Sequence, residues 1–214
     1  DLTLWKYLWN SSGTGALSPD SSLSFTYSFN LNGTEYYQHM RGCRPTSGTL
    51  SVSRGMWDQT MTFICKDITV PATSTGDGGT PVYQSAETSS STIVHSDGGG
   101  SPFTYNSVSY GERSFSTTVN RNMAVMAVNG ETDITYTKAT DRAITFTADV
   151  FSGTASSETA LYTLYESKDA DAATYKFNSS GPVTLTYANC VITDYAYTHA
   201  AGSADALIES ITCR

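Results

Sequence analysis

The sequence predicts an all-β protein with one short helix, folded as an antiparallel β-sandwich or partly open barrel. Three observations lead there. Charged residues are only 15% of the 214-residue chain, while Ser, Thr, Gly and Tyr are abundant, a composition of strands and turns with a polar, non-helical surface. Residues 23–31, LSFTYSFNL, alternate strictly, with Leu23, Phe25, Tyr27, Phe29 and Leu31 on one face. Finally, one segment alone, near residues 156–170, carries a convincing helical period, and one helix beside many strands is the pattern of a sheet with a covering helix.

The elements follow in order. Asn32-Gly33 is the strongest short hairpin signal, so the strand at 23–31 turns into a return strand near 35–43. Strands are expected next at 49–54 and 59–67. Residues 71–102 are rich in Gly and Ser and too long for an idle turn, so they are expected to form a functional loop. Strand patterns resume at 103–110, 113–120, 132–138 and 143–151. Ser156 or Ser157 can cap the helix, and Ala160, Leu161, Leu164 and Tyr165 recur on one helical face up to about Ala170. The last strands are expected at 174–178, 183–188, 190–198 and 206–213. This length favours one domain with elaborations: an N-terminal arm over 1–22 and a β domain over 23–214 that carries the loop at 71–102.

Charge and motifs exclude several function classes. A net charge of −8 is the wrong sign for holding nucleic acid by phosphate neutralisation. No apolar run approaches the roughly 18 residues that span a bilayer, and DLTLWKYLWN at the N-terminus lacks the basic start of a signal peptide. The chain contains no GxSxG, HExxH, Walker or dinucleotide-binding glycine pattern. The glycine runs at 76–79 and 97–100 precede no helix, so no helix N-terminus is there to hold phosphate. His39, His95 and His199 are far apart in sequence. Asp169 and Asp171 lack the glycine-centred loop of a calcium site. The expectation is a protein that is not an enzyme and takes no cofactor and no metal.

Cys43, Cys65, Cys190 and Cys213 form no CxxC pair. Cys43 and Cys65 are about equally distant from a turn at Arg54-Gly55, and Cys190 and Cys213 from one at Ala201-Gly202. Each pair is therefore expected to be cross-strand neighbours in a hairpin, as reduced, half-buried structural thiols. If Cys190 faces Cys213, the same register sets Asp194 against Glu209. Like charges directly across strands repel, so such a pair is tolerable only where water screens it.

Three stretches carry a family resemblance. The first is YYQHMRGCRPTSGTLSVSRGMWDQTMTFICKDI, the second VSYGERSFSTTVNRNMAVMAVNGETDITYTKATDRAITFTADVF, and the third, after the helix, VTLTYANCVITDYAYTHAAGSADALIESITCR. In order and character they resemble the tail tube proteins of long-tailed bacteriophages over roughly residues 20–214. The resemblance implies a virion protein, made in the bacterial host cytoplasm. It implies six-membered rings that stack into a hollow tail tube whose barrel is continuous from subunit to subunit. Implied partners are copies of itself, the tape-measure protein and the tail terminator and baseplate proteins, with DNA passing through the lumen without specific binding and no membrane involved. In that setting Asp194 and Glu209, with Asp205 nearer the turn, form an acidic band around the channel. A second reading also fits the composition: fourteen tyrosines and three tryptophans permit sugar stacking by a β-sandwich carbohydrate-binding or adhesin module.

Overall fold

The computed structural model describes Leu8 and residues 22–53, 56–72, 102–126, 136–151, 160–176, 184–199 and 207–214. Among them the strands are β1 (Leu23–Leu31), β2 (Thr34–Ser53), β3 (Met56–Ile64), β4 (Asp67–Ile68), β5 (Phe103–Tyr105), β6 (Val108–Met126), β7 (Tyr136–Phe151), β8 (Asp171–Lys176), β9 (Thr184–Cys190), β10 (Ile192–His199) and β11 (Leu207–Cys213), with helix α1 (Ala160–Ser167) between β7 and β8. They pair into one 11-stranded sheet in the order β10-β11-β7-β6-β5-β8-β9, and β2 pairs with β6 and carries β1, β3 and β4. Among the described residues the strand order does not close into a barrel. The all-β, antiparallel class with one short helix is the one the sequence predicts.

Turn chemistry explains where the chain reverses. Asn32 and Gly33 both take positive φ, at 53° and 83°, as a two-residue hairpin turn requires, and Leu31 pairs with Thr34. The Asn30 side chain accepts a bond from the Gly33 N–H at 2.9 Å. A second such turn falls where the sequence predicts a continuous strand over 103–110. Asn106 and Ser107 adopt φ of 48° and 63°, so β5 folds back on β6 with Tyr105 opposite Val108. Conversely, β2 runs unbroken through Pro45 and Gly48, because strand partners along its length override the local breakers. The helix ends earlier than its periodicity predicts. Lys168 turns left-handed at φ 58°, and its N–H donates to the Leu164 carbonyl at 3.1 Å.

The residues gather into two compact units, and β2, β3, β6 and β7 contribute to both. The first comprises Asp1–Gly48, Met61–Ser90 and Val119–Ala143. Its buried side chains include Leu8, Cys43, Val119 and Arg121, whose guanidinium donates to the Leu8 carbonyl at 3.2 Å. The second comprises Thr49–Thr60, Ser91–Thr118 and Ile144–Arg214. Its core is aromatic. Phe115 stacks on Tyr175 with centroids 4.1 Å apart, and Phe103, Phe146 and Tyr187 close around them. Rings of this size dominate the apolar area removed from water in a strand-rich unit.

The register of the last hairpin departs from the equal-distance expectation. Ile192 pairs with Cys213, a bulge intervenes, and from there Asp194 lies opposite Thr212, Tyr195 opposite Ile211 and Tyr197 opposite Glu209. Cys190 pairs instead with Asp171 on β8. Glu209 is thus opposite a residue three positions beyond Asp194. An odd displacement sends the two carboxylates to opposite faces of the sheet, so Asp194 and Glu209 are not side by side.

Candidate functional site

The alternation of β7 and β11 makes a two-faced sheet in the second unit. Phe146, Ala148 and Val150 point to one side and are buried, and across from them on β11 stand Cys213, Ile211 and Glu209. Thr147 and Asp149 point to the other side, opposite Thr212 and Ser210. Asp194 and Ala196 of β10 continue that second, polar face. The site is therefore a pair of surfaces, one covered and one hydrated.

On the covered face, α1 packs against β10. Leu161 is fully buried, and Tyr162 and Tyr165 lie on Tyr195 with centroids 5.6 and 5.9 Å away. Lys168 sits 3.5 Å above the Tyr165 ring, a cation–π contact that closes the helix end over the cluster. Beneath these rings Glu209 is 1% exposed, and the Tyr195 hydroxyl donates to it at 3.0 Å. Burial, and then the negative charge of Glu209, push the Tyr110 hydroxyl up to about 12. Nearby in the same unit, Glu112 accepts a bond from Tyr175 at 3.0 Å. Burial lifts its carboxyl to about 7, against the pull of the Tyr175 hydroxyl in the other direction.

The hydrated face is built from hydroxyls and carboxylates. Asp149 is held from two sides, by the Ser114 hydroxyl at 2.7 Å and the Ser210 hydroxyl at 2.6 Å. These charge-assisted bonds fix the carboxylate in one position. Asp194 is exposed on the same face. Of the predicted acidic residues, then, Asp194 is on the hydrated face, Glu209 is buried on the other, and Asp205 lies outside the described residues. Asp149, Ser114 and Ser210 went unremarked in the sequence. The signal was present, since ITFTADV alternates apolar and polar residues as strictly as residues 23–31 do.

The cysteines divide into two kinds. Cys43 and Cys65 are joined by a disulfide in the first unit, in place of the reduced thiols expected. Cys190 and Cys213 are free and buried. The Cys190 thiol donates to the Asp171 carbonyl at 3.0 Å, and burial pushes it up to about 11; burial raises Cys213 as well. His39 is buried, with Nδ1 2.9 Å from the Thr26 hydroxyl. Among the described residues no group of acid, His and Cys side chains is placed to hold a metal ion, and no helix is long and apolar enough to cross a membrane.

A model of the family described as phage tail tube protein matches residues 4–214, nearly the whole chain. The chain belongs to the phage tail tube protein family. No curated protein matches it. As a tail tube protein it is a structural component of the virion tail that assembles with copies of itself and with other tail proteins. Among the described residues β10 and β9, at the two ends of the strand order, pair on one side only, as do β1, β3 and β4 beside β2.

Proposed function

We propose that six copies of this tail tube protein close into a ring, and that rings stack into the hollow conduit through which DNA leaves the virion. The observation that carries the reading is the open sheet with a hydrated acidic face on one side and α1 on the other. An open antiparallel sheet removes its exposed edges when neighbouring copies extend it around a circle. The hydrated face then lines the lumen and the helix lies outside. Asp194 and Asp149 form the acidic wall of the channel; Glu209, being buried, does not. A wall of that sign repels phosphate and keeps DNA from adhering. The tape-measure protein occupies the lumen before DNA does, and the terminator and baseplate proteins cap the two ends. Assembly takes place in the host cytoplasm.

Negative-stain electron microscopy of the purified full chain tests this directly. Rings of six and tubes form without any added ligand. A discrete particle that binds glycans and never forms rings would support the carbohydrate-binding alternative instead.

A further inference from the structure

Cys43 and Cys65 are placed face to face by a local irregularity. Arg41 pairs with Asp67 and Met40 with Ile68, and the Lys66 N–H donates to the Arg41 carbonyl at 2.9 Å. Continuing that ladder sets Cys43 opposite Cys65. On the β1 side the register shifts between Leu23, opposite Cys43, and Phe25, opposite Met40. Gly42 absorbs the extra residue at φ +61°, and a Cβ there would meet the Lys66 Cβ at 2.9 Å. The glycine therefore lets the chain at Lys66 approach β2 closely. Cys43 is fully buried, while Cys65 is partly exposed.

We propose that Cys43 and Cys65 are a post-assembly oxidation site, reduced while the tube is built and joined once the virion reaches an oxidising medium. The proposal rests on the reading that tubes form inside the cell, where small thiols keep protein cysteines reduced. The oxidant is a low-molecular-weight disulfide. Cys65, the more accessible of the two, attacks it through its sulfur, forming a mixed disulfide and releasing one small thiol; Cys43 then attacks the Cys65 sulfur and releases the second. Two protein thiols become one S–S bond, and one small disulfide becomes two small thiols. The product ties together residues 22 apart in sequence, which restricts the unfolded chain and so favours the folded one. Cys190 and Cys213 do not take part. Both are buried, and the Cys190 thiol is already engaged by the Asp171 carbonyl.

The test uses the full chain made in the bacterial cytoplasm, acid-quenched at lysis, unfolded and alkylated for peptide mass spectrometry. All four cysteines carry the alkyl label at that point. After incubation with oxidised glutathione, Cys43 and Cys65 appear as a linked peptide, while Cys190 and Cys213 still take the label. Reductant then lowers the melting midpoint by roughly 5–10 °C. A Cys43→Ser, Cys65→Ser double variant melts with the reduced protein and ignores reductant. A 43–65 bond already present at lysis, no bond after oxidation, or equal midpoints with and without reductant would each overturn the proposal. Absence of tubes in both redox states would instead count against the tail-tube conduit, since the cysteine mapping and the melting comparison need no assembly.

Discussion

The Tyr195 hydroxyl donates to Glu209 at 3.0 Å on the covered side of the sheet, while Asp194, next to Tyr195 in sequence, points to the opposite, hydrated side. Two acids from one hairpin thus meet opposite conditions, and their substitutions diverge. Asp194→Lys keeps the protein folded, with stability changed by no more than about 0.5 kcal/mol. Glu209→Lys buries an ammonium beside Tyr195 and costs about 3–5 kcal/mol. Thermal melts of the two variants check this; equal midpoints would show that Glu209 is not covered.

Glu112 makes stability depend on pH. Its folded-state carboxyl titrates near 7, above the ordinary value of 4.5, so the folded chain holds a proton that the unfolded chain has released between those values. Its contribution is therefore greatest below pH 4.5 and declines as pH rises to about 7. Glu112→Gln removes this slope, and the melting midpoint varies less between pH 5 and 8. Tyr175→Phe removes the hydroxyl that pulls the carboxyl down, and the declining limb moves to higher pH. Melting curves across that range, with the two variants alongside, report both effects.

The proposed acidic wall gives a third outcome. Replacing Asp149 and Asp194 together by Lys leaves ring formation in place but makes the tubes retain DNA. The retention weakens steeply between about 50 and 200 mM salt, because each phosphate contact releases counterions. Co-sedimentation of tubes with double-stranded DNA reads this. Indifference of the double variant to DNA at low salt would move these residues off the lumen.

Residues 73–101 lie outside the described residues; from their Gly and Ser content alone we propose that they serve contact with a neighbouring copy. Deleting residues 75–100 leaves a cooperative melt and abolishes long tubes. Tubes of ordinary length from the deletion variant, seen by electron microscopy, would remove this segment from assembly.

What could be read in the sequence depended on how locally each feature was determined. Asn32-Gly33 announces its hairpin because both residues tolerate positive φ, and β1 and β2 follow from it. Asn106-Ser107 makes the same kind of turn without a glycine and left no comparable signal. The strand pattern around Asp194 and Glu209 was legible, but their register was not. One bulge after Ile192 decides it, and nothing in the composition marks a bulge there. Glu209 is buried on the face where α1 rests on Tyr195; the helical period is visible in the sequence, but that resting place is a tertiary fact. An isolated acid in a strand otherwise looks like a surface residue.

The position of β11 in the sheet has a consequence for how the protein is made. It is the last of the described strands to emerge during synthesis, yet it lies between β10 and β7. A chain that stops before Leu207 leaves two strands with bare edges and no way to join them. Such a fragment lacks the hydrated surface as a continuous whole, because Ser210 and Thr212 link Asp149 and Thr147 to the β10 residues. Strand order thus makes the continuity of this surface wait on the strand made after its two neighbours.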